Sequence, residues 1–286
     1  MPVVKALLRR KLVLLSLIIV STFVILAVFA YWIAPYPPEL QLDDGISDAG
    51  GPLAPNAKYW FGTDTLGRDL LSRLIYGSRA TLIVGIVANG IAVFIGTLIG
   101  VTAGYLRGWP GNLLMRFTDL MTAFPALLLA ILLAAIFRPN GEQGLWIVAI
   151  VISLVNWVQV ARVTYTETTS LAEREFITAE RSLGAGRVRI LARHVLPHLV
   201  PTVIVYGTLG IATTSLAEAT LSFLGVGVKP PIPSWGNMVN ENQTYFETAP
   251  WLVLFPGSCI ALLALSFNLI GDALRDILDP TLRGRH

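Results

Sequence analysis

ATLIVGIVANGIAVFIGTLIGVTAG, residues 80–104, contains no charged side chain. A helix of this length rises about 37 Å at about 1.5 Å per residue. The hydrocarbon core of a bilayer is about 30 Å thick and needs roughly 20 apolar residues to cross it. The stretch therefore reads as a membrane span. Within it Gly96, Gly100 and Gly104 recur every fourth residue, so they share one helix face. Small residues at that spacing let two helix backbones approach closely, and helix packing is the role assigned to all three.

Similar apolar runs lie on both sides. The segments at about 12–33, 113–137, 145–165, 199–223 and 251–271 join 80–104 to make six candidate spans. Composition agrees: 54% of the residues are hydrophobic and 14% charged, against about 25% charged in a soluble domain. The first run follows Lys5, Arg9, Arg10 and Lys11. It is longer than the ~7–15 residues of a signal-peptide core and no A-x-A site follows, so it reads as a retained span. The expectation is an all-α polytopic membrane protein with six transmembrane helices.

The basic residues orient it. With the N-terminus cytoplasmic, 15 of the 21 Lys and Arg fall on inside segments, among them Arg107, Arg116, Arg162, Arg174, Arg181, Arg187, Arg189, Arg193, Arg275, Arg283 and Arg285. Six fall outside: Lys58, Arg68, Arg73, Arg79, Arg138 and Lys229. This positive-inside bias places both termini in the cytoplasm, so the net charge of +3 need not signal nucleic acid.

Between the spans, 34–40 and 43–56 are rich in Pro, Gly and Asp and read as irregular loop. TDTLGRDLLSRLIYG (63–77) puts Leu66, Leu70, Leu74 and Ile75 on one face. It suggests an amphipathic surface helix ending at Gly77, or an ordinary packed loop helix. RPNGEQG (138–144) is short enough to make spans 3 and 4 antiparallel neighbours. Asn242-Gln243-Thr244 matches a glycosylation acceptor, a three-residue pattern common by chance.

ERSLGAGRVRILARHVLP (180–197) is a basic, glycine-broken segment between two apolar spans. Ser170 and Glu173 fit a capping box that would start a helix there. Ala172, Phe176, Ala179 and Leu183 then form one apolar stripe, and Gly184 suits the left-handed residue that ends a helix. Val188, Leu191 and Val195 give a second stripe, with Pro197 in the first turn of span 5. Two amphipathic helices hinged at glycine suggest a docking surface for a cytoplasmic partner, with a solvated loop kept basic only to set topology as the alternative.

Several chemistries are excluded. A P-loop needs Gly-Lys-Ser/Thr, and none of Lys5, Lys11, Lys58 and Lys229 follows a glycine. His194 and His198 are four apart but lack the glutamate of H-E-x-x-H, and Cys259 is the only cysteine. No catalytic residue and no metal site is assigned. Glu218 and Ser222 in span 5 are placed near a translocation path, where a carboxylate could meet a peptide's amino end; helix–helix hydrogen bonding is the alternative. Asp119, near the inner end of span 3, is expected to pair locally with Arg116. Asn156 and Gln159 are the polar groups of span 4.

TAERSLG (178–184) with HVLP (194–197) resembles the E-A-A-x-x-x-G…I-x-L-P loop of permease subunits from ATP-binding-cassette (ABC) importers. Thr178 replaces the first Glu, Glu180 the second Ala, and His194 the usual Ile, while Ala179, Gly184, Leu196 and Pro197 stand as expected. WFGTDTLGRDLLSRLIYGSR (60–79), MRFTDLMTAFP (115–125), AEATLSFLGVGVKPPIPSWGNM (217–238) and FNLIGDALRDILDP (267–280) are similar to the dipeptide and oligopeptide branch, in its second (C-type) permease. The resemblance implies a type I importer permease fold and a coupling loop at about 166–197 that contacts an ATPase through Phe176, Thr178, Ala179, Glu180, Leu183, Gly184, Leu196 and Pro197. Its domains would be 1–78, a first helix with an extracytoplasmic segment; 79–272, the transmembrane domain; and 273–286, a cytoplasmic tail.

The implied partners are a homologous permease, two ABC ATPases that bind ATP and magnesium, an extracytoplasmic solute-binding protein and the lipid bilayer. No cofactor is expected in this chain. The setting is the plasma membrane of a bacterium or archaeon. Peptides are the expected cargo, with glutathione or a nickel complex as the alternatives within the branch. An ion-gradient carrier is the alternative from another class; it would leave the docking loop without a role.

Overall fold

The computed structural model describes residues 7–48, 50–106 and 108–278; Lys5, Arg107, Arg283 and Arg285, counted above for orientation, and most of the 273–286 tail lie outside them. The helices are α1 (Lys11–Val28), α2 (Ala30–Ile33), α3 (Leu70–Leu106), α4 (Gly108–Thr122), α5 (Ala126–Phe137), α6 (Gly141–Ala172), α7 (Glu175–Ser182), α8 (Arg187–Ile190), α9 (Leu196–Phe223), α10 (Trp235–Asn242) and α11 (Trp251–Leu278). Among the described residues there is no β-strand, only isolated bridges at Ile46–Pro52 and Thr63–Asp69. Among the described residues five helical stretches are long and apolar enough to cross a membrane, and six if α4 and α5 count as one bent span.

The centre is the seam between α3 and α6. Cβ atoms added at Gly96 would stand 2.5 Å from Trp157 O and at Gly104 2.8 Å from Tyr165 O, while Gly100 lies against Ala161 O and Thr164 Oγ1. Increasing residue number on α3 meets increasing number on α6, so the two helices are parallel. Thr164 Oγ1 also donates to Gly96 O at 3.4 Å. Helix α9 packs antiparallel across α3, with Thr214 Oγ1 donating to Gly85 O at 2.8 Å and Asn89 Nδ2 donating to Gly207 O. Helix α11 follows α9, its Gly271 opposite Leu209. Helix α1 covers α3 and α11 through Phe23 and Ala27. One end of the bundle thus carries α7, Arg10 and Asp276 (Nη1–Oδ2 2.7 Å); the other carries 34–69 and α10.

Four sequence expectations change. Span 3 is not one helix: α4 and α5 meet at 86° across Ala123–Pro125. Pro125 biases Phe124 away from helical geometry and supplies no N–H to the turn before it. The 63–77 surface helix does not exist as a unit. Residues 63–69 are turns, and α3 starts at Leu70, with Asp69 Oδ2 accepting the Ser72 N–H at 2.8 Å as an N-terminal cap. Gly77 lies inside α3 because the Trp235 ring packs where a side chain would stand. The expected division at 78/79 accordingly falls within α3.

The capping box at Ser170 does not form, since α6 continues to Ala172 and α7 is preceded by Arg174 with no side-chain cap. Finally, the second helix of the basic loop is not separate. Helix α8 runs through a π-helical turn, Leu191–Val195, directly into α9. Pro197 and Pro201 lack the N–H groups that would bond Arg193 O and Pro197 O. A wider turn, with Leu196 N–H reaching Leu191 O, carries the chain past them.

Candidate functional site: a docking helix and buried polar centres

Helix α7 is a short, stoutly anchored element at one end of the bundle. Ile177 is fully buried and joins Val101, Tyr105, Leu171, Ile190, Val195 and Leu199 in one cluster. The Phe176 ring lies 5.8 Å from His198, stacked, and 6.1 Å from His194. Glu180 Oε1 is 3.4 Å from His194 Nε2. The Arg181 guanidinium sits 5.0 Å over the Tyr105 ring. These contacts tie α7 both to the π turn and to the end of α3.

The helix then stops as a Schellman motif. Gly184 has φ +82°, its N–H reaches Arg181 O at 3.0 Å, and Ala185 N–H reaches Glu180 O at 3.0 Å. The other face is open: Thr178, Ala179 and Gly184 are exposed and Leu183 is 84% exposed. The expected apolar stripe is thus divided. Ala172 is buried and Leu183 points away from the chain; the buried anchor is Ile177, one residue along. Leu196 and Pro197 are exposed on the helix that follows.

Glu218 and Ser222 occupy a closed centre. Glu218 is 0% exposed; its Oε1 accepts from Ser222 Oγ at 2.7 Å and its Oε2 from Thr81 Oγ1 at 3.3 Å. Ser222 Oγ in turn accepts the Val228 N–H at 3.0 Å. In this conformation the pair bonds α3, α9 and the following loop together and presents no atom to a path. Among the described residues no cation is within ion-pair distance of Glu218.

A larger buried network was not foreseen. Asp64 Oδ2 accepts from Arg68 Nε at 2.7 Å and from Arg73 Nη1. Glu241 Oε2 takes Arg73 Nη2 at 2.9 Å and Arg68 Nη2 at 3.2 Å, and Glu241 Oε1 takes Asn237 Nδ2 at 2.9 Å. Arg73 is 2% exposed and Asp64 0%. The network fixes the 40–69 segment and α10 onto the start of α3. In the adjacent Asp44–Lys58–Tyr59 group, Asp44 and Lys58 are exposed while Tyr59 is buried. The Lys58 ammonium, then the Tyr59 hydroxyl, hold the Asp44 carboxyl below its ordinary value. The sequence signal for this network is the clustering of Asp64, Arg68 and Arg73 beside the Asp69 cap, which the leucines of the same stretch mask.

Asp119 is held across helices. Arg162 Nη2 donates to Asp119 Oδ1 and to Thr122 Oγ1, both at 2.9 Å; the expected local partner, Arg116, is replaced by a residue of α6. The Arg162 and Asp119 side chains are 46% and 54% exposed; α6 is apolar enough to cross a bilayer, and α4 only together with α5. The pair lies toward the inner ends of spans 3 and 4; a charged side chain costs up to about 3 kcal/mol at mid-bilayer and less toward the interface, which favours a face of α4 and α6 turned to protein or water. Among the described residues no group of three or more His, Cys, Asp or Glu could hold a metal.

Residues 96–284 match the family described as "Binding-protein-dependent transport system inner membrane component". Residues 3–55 match the "N-terminal TM domain of oligopeptide transport permease C". The chain is 40% identical over 284 residues to the dipeptide transport system permease protein DppC of Alkalihalophilus pseudofirmus, covering 98% of this chain and 89% of that one. It is 39% identical over 277 residues to the glutathione transport system permease protein GsiD of Escherichia coli, covering 96% and 88%. Its fold is similar to a chain of the MetNI methionine ABC transporter in an inward-facing conformation, with a TM-score of 0.59 at 17% identity over 72% of this chain and 96% of that one. The chain belongs to the family of binding-protein-dependent transport system inner membrane components, the permease subunits of ABC importers.

Proposed function

We propose that the chain is the C-type permease of an importer of di- and oligopeptides, and that α7 is its docking element for an ABC ATPase. The observation that carries the docking assignment is the division of α7. One face is locked into the bundle through Ile177, Phe176 and Arg181, and the other leaves Leu183 exposed. A rigidly held helix with an open apolar tip transmits displacement, and a loose loop would absorb it. Thr178, Ala179, Glu180, Gly184, Leu196 and Pro197 complete this end.

In this reading a sister permease forms the other half of the path, and two ATPases bind the ATP and magnesium. A solute-binding protein delivers cargo to the end carrying 34–69 and α10. Both termini are cytoplasmic, in the plasma membrane of a bacterium or archaeon, and the chain itself hydrolyses nothing. Coupling is reciprocal: docking of the loaded binding protein biases nucleotide binding by the same free energy that nucleotide returns to it. The similarity to the dipeptide permease supports peptide cargo. The nearly equal similarity to the glutathione permease favours glutathione as a second reading.

The test of docking is co-purification of the ATPases with Leu183→Glu. A charged tip is expected to weaken ATPase retention at least tenfold while leaving the thermal stability of the permease unchanged, because the Leu183 side chain is largely exposed. Full retention would remove α7 as the docking element.

A further inference from the structure

We infer that one face of α6, marked by Asn156, Gln159, Arg162 and Thr166, lines the water-filled route together with Asp119 and Thr122 of α4, and that Arg162 and Asp119 form a two-ended site for a zwitterionic peptide. The inference rests on the importer reading above and names the residues that meet its cargo.

Spacings of three, three and four put the α6 residues on one helix face. Gln159, Arg162 and Thr166 are exposed and Asn156 is half-buried, whereas Trp157, Val158, Val160, Ala161, Thr164 and Thr168 on the other side are buried. A polar stripe along an otherwise apolar spanning helix is turned from lipid, as is an ion pair near the inner ends of two spans. It has room to act. Both recorded bonds of the guanidinium use Nη2, and the carboxylate bonds through Oδ1. Among the described residues Arg162 Nε and Nη1 and Asp119 Oδ2 have no hydrogen-bond partner.

A guanidinium recognises a carboxylate through a planar fork, and a carboxylate accepts from an ammonium. A peptide carries both complements at its two ends. At rest the pair neutralises itself, so no charge is stranded in the membrane. An extended dipeptide spans about 7 Å, so it can exchange for both partners only when α4 and α6 part, which links occupancy to movement. Glu218 and Ser222, enclosed within the chain, are not part of this route in the present conformation.

Cys259 is the only cysteine of this chain, so Cys259→Ser removes its own background, and labelling is read on this chain after separation from its partners. Gln159→Cys and Thr166→Cys, each in the assembled transporter in membranes, are treated with a charged, membrane-impermeant thiol reagent. Ile150→Cys, an exposed apolar position away from the polar stripe on the same helix, serves as the control. The expected result is reaction at 159 and 166, slowed several-fold by a dipeptide, and none at 150. In parallel, Arg162→Gln and Asp119→Asn are expected to lower uptake of a free dipeptide at least tenfold. They are also expected to abolish discrimination against the C-amidated and N-acetylated peptides respectively. Positions 159 and 166 as inert as 150 would overturn the route, whether sister subunit or lipid covers the face. Wild-type end selectivity in both charge variants would overturn the site. Absence of ATP-driven dipeptide uptake by the unaltered transporter would instead sink the cargo reading, and with it the peptide site, while the labelling pattern would still decide the route.

Discussion

Gly100→Ala tests the α3–α6 seam. A Cβ at this position would stand 2.9 Å from Tyr165 N and closer still to Ala161 O and Thr164 Oγ1, whereas unstrained contacts are made at about 3.5–4.0 Å. Two of the three obstacles are backbone atoms of α6, so no rotamer change relieves them and the helices must part by about 1 Å. Overpacking by a methyl group costs about 1–3 kcal/mol, and a backbone obstacle puts this site in the upper half. Alanine's helix preference over glycine returns about 1 kcal/mol, leaving a net loss of about 1–2 kcal/mol. At about 2–4 °C per kcal/mol for a chain of this size, melting in detergent, followed by size-exclusion chromatography after heating, should fall by roughly 2–8 °C. Gly90→Ala and Gly207→Ala are the controls: a Cβ at either meets nothing within 4 Å, so neither should lose stability. Equal stability of the Gly100 and Gly90 variants would refute the seam as the fold's close contact.

Three further outcomes follow from the polar centres. Arg73→Met removes one of the two guanidiniums that hold the buried Asp64 and leaves Arg68 as its partner, a loss of about 1–3 kcal/mol for charge-assisted bonds, so the variant should melt below the parent; unchanged melting would contradict the network's role. Glu218→Ala leaves the Thr81 and Ser222 hydroxyls short of an acceptor, at about 1–3 kcal/mol, while Glu218→Gln retains an acceptor and should melt closer to the parent. For Asp44, the bonds from Lys58 and Tyr59 lower the folded-state value. Their stabilisation is therefore present above the unfolded value and lost as pH falls through the folded one. Melting followed from pH 6 down to pH 3 should show an acid limb that Asp44→Asn reduces.

The helices and the glycine seam were legible because each depends on one segment's own pattern: apolar length for the spans, a repeat of four for Gly96, Gly100 and Gly104. Gly184 was legible for the same reason, since the helix end it makes is local. What escaped depends on distant partners. Gly77 looks like a stop until Trp235, far along the chain, fills the space beside it. Ser170 and Glu173 spell a cap, but α6 runs on to Ala172 and absorbs the serine. Asp119 has a local arginine in sequence and a better-placed one on α6. The leucines of 63–77 advertised an amphipathic helix, while the charges between them closed a network with Glu241. The π turn arises from two prolines acting on successive turns, which a single proline rule does not anticipate.

The most direct test of the central claim is uptake of a labelled dipeptide by proteoliposomes holding this chain, its sister permease, the ATPases and the binding protein, with proton and sodium gradients collapsed. Uptake that requires ATP and the binding protein, and that falls at least tenfold with Leu183→Glu, is the predicted result. Uptake that persists without ATP, or that runs only on an ion gradient, would contradict it and leave α7 without the coupling role proposed for it.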